Sequence, residues 1–209
     1  MRIIIFGPPA AGKGTLSKNL VKKFNIPQIS TGDLLRHSIK ILDEVGKEAK
    51  PYMDAGQLVP DHLAIKLLKK RLAQEDTKKG FILDGFPRTQ KQADELEHIT
   101  HIDHVLSLKC SKDVIIERIE NRRVCLHCNA IFHLVNMPPK QEGICDQCGG
   151  QIIQRDDDNA TTIEKRLKAY KQQTETLISY YKEKGILHDI DAERPIDEII
   201  KEAIKILSK

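Results

Sequence analysis

The chain has 209 residues, enough for one substantial hydrophobic core but not for two independent large domains, so an additional module is expected as an insertion. Its formal net charge of +4 comes from 34 basic and 30 acidic residues that are interspersed, without the basic stripe typical of nucleic-acid-binding proteins. Tryptophan is absent, and no apolar segment forms a signal peptide or reaches membrane-spanning length. We therefore expect a cytoplasmic protein whose partners are small anions, not nucleic acid or a membrane.

The chain begins with a pattern typical of a strand, a phosphate-binding loop and a helix. The apolar run from Ile3 to Phe6 does not alternate, as expected for a parallel strand buried on both faces. Residues 7–13 then follow the spacing G-x4-G-K, in which backbone N–H groups and a helix N-terminus surround a phosphate. Lys13 would supply a charge to the outer phosphates, and Thr15 a hydroxyl to a metal or a phosphate oxygen. A plain glycine-rich turn is the alternative, but the amphipathic helix that follows favours the phosphate loop.

The next eighty residues predict helices around a second buried strand. The first helix ends at Ile26-Pro27, and the Ser-Thr-Gly-Asp sequence at 30–33 indicates a strand end followed by a helix start. Residues 30–59 are expected to form a small helical insert, and a further helix begins near Asp61.

A carboxylate follows the second buried strand. Residues 81–83 are apolar, and Asp84 comes at the carboxyl end of this strand, the edge where ligands bind in open α/β sheets. A lone aspartate there is more often a turn residue. Together with the phosphate loop, Asp84 resembles the Walker B carboxylate that holds magnesium directly or through water.

The cysteine spacing predicts a metal site. Four of the five cysteines form two C-x2-C pairs: Cys125, Cys128, Cys145 and Cys148. In a reducing compartment this spacing indicates a closed tetrahedral zinc site with a structural role. His127 and His133 are alternative ligands, although the first lies inside a pair and the second breaks the paired spacing. Cys110 remains, and we expect it to behave as a small buried hydrophobe.

Taken together, these motifs resemble the adenylate kinase family in their order and spacing. The resemblance rests on the phosphate loop, residues 30–36 and 84–88, and Gln92, and it continues through Arg118, Arg122 and Arg123, the cysteine-bearing segment and residues 155–166. The phosphate loop of this family resembles G-x-P-G-x-G-K-G-T. Gly14 after the lysine fits that pattern, whereas Ala10 stands where the family usually has glycine.

The resemblance implies an α/β fold with a three-layer phosphate-loop core and a five-stranded parallel sheet, interrupted by two inserts. The expected divisions are a core of residues 1–29, 60–120 and 159–209, an AMP-binding insert of residues 30–59, and a zinc-ribbon-like lid of residues 121–158. The last strand is expected near residues 187–190 and the last helix at residues 196–207.

The activity implied by the resemblance is reversible transfer of the γ-phosphoryl group of MgATP to AMP, giving two ADP, by a monomer that also holds structural zinc. The implied catalytic residues are Lys13, Arg88, Arg122, Arg155 and Arg166. The implied ATP-binding residues are Pro9, Ala10, Ala11, Gly12, Lys13, Gly14, Thr15, Arg118, Arg122, Ile131, Phe132 and Arg194. The implied AMP-binding residues are Thr31, Arg36, Gln57, Leu58, Val59, Gly85, Phe86, Pro87, Arg88, Gln92, Arg155 and Arg166. The implied magnesium ligands, through water, are Asp33 and Asp84.

Several alternatives stay open from the sequence. Arg118 could instead be a surface partner of Glu117 or Glu120, and Arg123 is expected to be structural. A UMP/CMP kinase is the nearest alternative enzyme, although those kinases usually lack a long lid. A zinc-ribbon nucleic-acid-binding ATPase is a further alternative, but no basic stripe or sensor motif supports it. We expect AMP to be preferred because the Gln92 amide can pair at two points with adenine.

Overall fold

The computed structural model describes residues 1–208, apart from the side chain of Ala160. Lys209, the last residue of the predicted core, lies outside the described residues. The strands are β1 (Arg2–Phe6), β2 (Gln28–Ser30), β3 (Phe81–Asp84), β4 (His104–Lys109), β5 (Arg122–Cys125), β6 (Ile131–His133), β7 (Ile152–Ile153) and β8 (Leu187–Asp191). The helices are α1 (Lys13–Phe24), α2 (Thr31–Ile41), α3 (Glu44–Asp54), α4 (Asp61–Leu72), α5 (Gln90–Ile99), α6 (Lys112–Glu120), α7 (Ala160–Ala169), α8 (Thr176–Glu183) and α9 (Ile196–Leu207). A π-helical turn, Tyr170–Thr174, joins α7 to α8.

The central sheet has five parallel strands in the order β2-β3-β1-β4-β8, which confirms the predicted sheet. The residues from Ile3 to Phe6 are at most 3% exposed, because side chains on both faces of β1 are covered by helices. One face packs on α4, α5 and α8, and the other on α1 and α9. All five strands therefore end at the same edge of the sheet, where loops carry the polar side chains of the site.

A second sheet is small and antiparallel, with strand order β6-β5-β7. Its buried cluster consists of only five residues, two of them cysteines: Cys125, Ala130, Phe132, Cys145 and Ile152. Such a cluster is too small to stabilise a folded unit by apolar burial alone. A cross-link through the cysteines would supply the missing stability.

Helices α2 and α3 form a compact pair beside the sheet. Ser30 caps α2 by accepting the Asp33 N–H at 3.2 Å, and Asp43 caps α3 by accepting the Gly46 N–H at 2.7 Å. The pair shares a small apolar cluster with α4. Within residues 1–208, no helix combines the length and apolar character that a membrane span needs.

The close packing of α2 on α3 leads to a stability prediction. A β-carbon at residue 46 would overlap the backbone of Ser38, so Gly46→Ala must push the two helices apart. We expect Gly46→Ala to lower the free energy of unfolding by about 2 kcal/mol in urea titrations. The control is Lys47→Ala, an exposed change in the same helix, which should stay within about 0.5 kcal/mol of the parent. Equal stability of the two variants would contradict the packing argument.

Candidate active site

The phosphate loop connects β1 to α1 and encloses the Lys13 ammonium. Gly7 and Gly12 have φ angles of 151° and 94°, which glycine adopts without steric cost. A β-carbon at residue 7 would also lie 3.0 Å from the Leu108 side chain. Lys13 Nζ donates to the carbonyl oxygens of Gly7 at 2.8 Å and Pro8 at 2.7 Å. The ammonium is thus fixed beside the backbone N–H groups at the start of α1.

Lys13 and Asp84 lie close enough at the carboxyl edge of the sheet to influence each other's charge. Burial lowers the pKa of Lys13 to about 8, against the opposing effect of Asp84 and with Arg88 acting in the same direction. Burial likewise raises the pKa of the Asp84 carboxyl, against the effect of Lys13. Gln28 donates to this carboxylate at 3.0 Å. The Asp84 carboxylate oxygens are of the type that Mg²⁺ prefers as ligands, so Asp84 is chemically suited to the predicted magnesium site.

A cavity of about 830 Å³ lies between the phosphate loop, the small sheet and the corner before α9. All twelve predicted ATP-binding residues line it. Asp33, Asp84 and Arg155 line it too. Gly14 faces the small sheet closely, since a β-carbon there would lie 3.0 Å from Ile131 Cδ1. The predicted donor-site segments thus surround one common space.

A second cavity, of about 120 Å³, lies between the phosphate loop, the α2–α3 pair and the π-helical turn. The predicted acceptor residues that line it are Thr31, Arg36, Gln57, Leu58, Val59, Gly85, Pro87, Arg88, Gln92 and Arg166. Four cationic residues line both cavities: Lys13, Arg36, Arg88 and Arg166. The two spaces therefore meet at a concentration of positive charge.

Two predicted acceptor-site residues lie elsewhere. The Phe86 side chain is 1% exposed and belongs to the hydrophobic core cluster that the sheet forms with α4, α5 and α8. Arg155 lines the larger cavity and not the smaller one. Its guanidinium lies 3.9 Å from the Asp33 carboxylate, which draws it toward the larger space.

Arg88 is held by groups at both ends of its backbone. Its N–H donates to Gln92 Oε1 at 2.8 Å, its carbonyl accepts the Thr174 hydroxyl at 3.1 Å, and its Nε donates to Gly85 O at 2.8 Å. Gln92 Nε2 in turn donates to Asp61 Oδ1 at 2.7 Å. The Gln92 amide keeps one N–H and one lone pair for a ligand. Sequence reasoning missed the supporting roles of Asp61 and Thr174.

Each of the three remaining predicted catalytic arginines lies beside a carboxylate. Arg122 forms a two-point pair with the buried Asp158, with Nε to Oδ2 at 2.7 Å, and Arg166 donates to Asp157 at 3.0 Å. Burial, reinforced by Arg36, lowers the pKa of Arg155 to about 10. The two aspartates lie within a segment that the sequence singled out, but no role was assigned to them.

The structure gives the contacts of three further arginines and decides one alternative left open for Arg118. Arg118 donates to the carbonyl of Ala192 at 2.7 Å, so it is not a surface partner of a neighbouring glutamate. Arg194 pairs with Glu202 at the rim of the larger cavity. Arg123 donates to backbone carbonyls, including that of Arg122 at 2.7 Å, as expected for a structural residue.

The Asp33 carboxylate faces two arginines. Arg36 Nη2 donates to it at 2.5 Å, and this pairing lowers the Asp33 pKa against the effect of burial. Of the two predicted magnesium ligands, Asp33 thus has an arginine partner, whereas Asp84 forms no ion pair with an arginine among residues 1–208.

The four paired cysteines converge on one point, and their sulfur atoms all lie within 4.8 Å of one another. Cys125 Sγ is 3.5 Å from Cys148 Sγ, and Cys128 Sγ is 3.5 Å from Cys145 Sγ. Bonds of about 2.3 Å in a tetrahedral zinc thiolate place the sulfur atoms about 3.8 Å apart. The donor set therefore fits zinc and leaves no coordination position for water.

His133 is not part of this cluster. Its Nδ1 accepts the N–H groups of Val135 at 3.2 Å and Asn136 at 3.0 Å, and its Nε2 lies 3.5 Å from Glu117. The ring thus contacts the backbone and a carboxylate, in agreement with the expectation that cysteines alone hold the metal.

Comparison with known proteins gives a consistent family. A family model described as "Adenylate kinase" matches residues 5–186. A protein called adenylate kinase from Archaeoglobus fulgidus is 48% identical over 214 residues, covering 100% of this chain and 99% of the relative. Proteins of the same name from Caldicellulosiruptor saccharolyticus and Methanosarcina mazei are each 50% identical, over 212 and 214 residues, and each alignment covers 99% or more of both chains. With its phosphate loop, its two cavities that meet at shared cations and its four-cysteine cluster, the chain belongs to the adenylate kinase family.

Proposed function

We propose that the chain catalyses the reversible transfer of the γ-phosphoryl group of MgATP to AMP, giving two ADP. The observation that carries this proposal is the meeting of the two cavities at Lys13, Arg36, Arg88 and Arg166. A donor phosphate in the larger space and an acceptor phosphate in the smaller one would face each other across these cations.

Positioning and charge supply most of the catalysis that such a reaction needs. Phosphoryl transfer asks for little covalent chemistry but requires two polyanions held in line, with their repulsion and the charge on the transferring group offset. Lys13 would contact the outer donor phosphates, and Arg36 and Arg88 would bind the acceptor phosphate. The arginines Arg122, Arg155 and Arg166 would stabilise the transferring group through planar, two-point hydrogen bonds. No residue has to act as a general base in this scheme.

The two inserts would close the site around its substrates. We assign residues 30–59 to an acceptor-binding insert and residues 121–158 to a lid over the donor. Ile131 packs against Gly14 of the phosphate loop, so the lid covers the place where the donor phosphates bind. Closure excludes water, which strengthens every charge interaction inside and prevents transfer of the phosphoryl group to water.

The two metals would have separate roles. Magnesium bound with ATP offsets phosphate charge, and Asp84 is the residue best placed to hold it, with Asp33 as a further ligand through water. Zinc held by the four cysteines would stabilise the lid and leave the chemistry to the cations. We place the protein in the cytoplasm, where thiols stay reduced and available to metal. We propose a monomer, because one chain supplies the walls of both cavities.

The test of the function is an assay of ADP formation from MgATP with AMP, UMP or CMP in turn, without nucleic acid. A pocket lined by paired polar groups rejects a base that leaves them unpaired, so kcat/KM for AMP should exceed the others on the order of 100-fold. Gln92→Leu should narrow this preference. The control Gln90→Leu, an exposed change in the same helix, should retain it. Comparable kcat/KM for UMP or CMP would contradict the assignment of AMP as acceptor.

The lowered pKa of Lys13 predicts a pH dependence. Lys13 is charged below its pKa of about 8 and loses its proton above it, so kcat/KM for ATP should decline above about pH 8. Lys13→Arg should move this decline to higher pH, and Lys13→Met should lower kcat on the order of 100-fold at neutral pH. Because burial disfavours the charged lysine of the folded state, Lys13→Met should not lower the melting temperature. A profile of Lys13→Arg that matches the parent would remove Lys13 from the site, and the exposed Lys91→Met is the matched control.

Removal of the lid metal should affect stability more than chemistry. Chelation of zinc in the presence of magnesium should lower the melting temperature and the efficiency of turnover, because lid closure becomes costlier when the small sheet loosens. Activity at low temperature should be reduced but not lost. Unchanged melting after replacement of a cysteine pair by serine would contradict a structural metal. Complete loss of turnover in a folded, metal-free protein would contradict its separation from catalysis.

A further inference from the structure

A lysine outside the predicted site connects the donor site to the cysteine cluster. Lys18 lies on α1, one turn beyond the phosphate loop, and its Nζ donates to the backbone carbonyl of Asn129 at 2.9 Å. The two residues are 111 positions apart in the chain. Both line the larger cavity, together with Cys128. The contact therefore joins the core to the lid at the wall of the donor site.

The acceptor of this hydrogen bond belongs to the turn that carries two of the cysteines. Asn129 directly follows Cys128 and has a φ of 55°, the left-handed conformation that asparagine tolerates. Its N–H donates to the Cys125 carbonyl at 3.1 Å, and the Cys125 N–H donates to the Ala130 carbonyl at 2.9 Å. The direction of the Asn129 carbonyl is thus set by the same turn that presents Cys125 and Cys128 to the metal.

Charge strengthens the connection. Four thiolates on one zinc ion leave a dianionic centre, and the Lys18 ammonium stands beside the turn that holds two of them. Burial lowers the pKa of Lys18, while the neighbouring Cys128 and Asp33 act in the opposite direction. Lys18 therefore has Cys128 on the lid side and Asp33 on the insert side as neighbours, with Arg155 opposing their effect. A hydrogen bond from a charged donor is stronger than one between neutral groups.

We propose that Lys18 is a positioning residue that fastens the metal-bearing turn of the lid to the donor site, so that metal occupancy and lid closure support each other. This inference rests on the proposed phosphotransferase function and on the zinc site. The contact forms only when the lid lies against α1, and it keeps Ile131 over Gly14. The apparent affinity for ATP scales with the closed fraction, so loss of the contact weakens ATP binding without any lost contact to ATP.

The experiment compares Lys18→Met, which removes the charge and the donor, with Lys18→Arg, which keeps both. Lys22→Met, an exposed change one turn further along the same helix, is the matched control. Three quantities are measured on zinc-loaded protein: the rate of zinc release to a chelator, the KM values for ATP and AMP, and the melting temperature. The release rate requires no turnover and reports on the metal site directly.

We expect Lys18→Met to release zinc several-fold faster and to raise KM for ATP about three- to tenfold, as the loss of one charge-assisted hydrogen bond implies. KM for AMP should stay within about twofold of the parent value, because the lid that closes over ATP and the insert that binds AMP are different segments. Lys18→Arg should restore both quantities, and Lys22→Met should match the parent.

Three outcomes would overturn the inference. In the first, zinc release and KM for ATP in Lys18→Met equal those of Lys22→Met. In the second, the KM values for ATP and for AMP rise together and the melting temperature drops, which indicates a general structural role. A parent protein that holds no zinc would end the coupling to metal. Failure of the parent to form ADP would instead refute the proposed function, while the comparison of zinc release would still test the contact.

Discussion

Partly buried positive charge is the constraint on which the rest of this structure depends. Lys13, Arg88, Arg155 and Arg166 all have pKa values lowered chiefly by burial, and the neighbouring cations act in the same direction. Isolated charges in such a place would oppose folding strongly. The aspartates among them offset part of this cost, and the carbonyls of the phosphate loop hold the Lys13 ammonium. A polyanion in the cleft would relieve the remaining repulsion between these cations.

The walls of this positively charged cleft come from separate parts of the chain. Asp33 of the α2–α3 pair reaches within 3.9 Å of Arg155 in the segment after the small sheet. A side chain at Gly56 would collide with Thr162, so the segment after α3 and the start of α7 approach each other closely. The α2–α3 pair and the small sheet complete the walls of the cleft, and each has a small buried apolar cluster. Elements with few apolar contacts open most readily.

Local patterns in the sequence predicted most of the fold and most of the cavity walls. The unbroken apolar run before Gly7 and the paired cysteines are signals between neighbours in the chain, and the structure confirms the sheet and the cluster that they indicate. The connection from Asp61 through Gln92 and Arg88 to Thr174 could not be predicted in this way. The packing of α4, α5 and the π-helical turn brings Asp61 to Gln92 across 31 positions of the chain and Thr174 to Arg88 across 86 positions, distances at which no local spacing signals a contact. The inward direction of Phe86 likewise depends on the layer beneath the sheet.

Ala10 shows how a departure from the family pattern is accommodated. Its φ of 60° is left-handed, a conformation that costs a residue with a β-carbon about 1–2 kcal/mol relative to glycine. The methyl group is not exposed, however. It packs against a cluster formed by Ile115, Ile119 and Ile163, which joins α6 to α7. Burial of one methyl group contributes about 0.8 kcal/mol, and a glycine would also gain flexibility in the unfolded chain. The cost of the left-handed conformation and the combined gain from methyl burial and reduced unfolded-chain flexibility nearly cancel, so the phosphate loop keeps its shape with alanine. The added contact ties the loop to α7, the helix that carries Arg166.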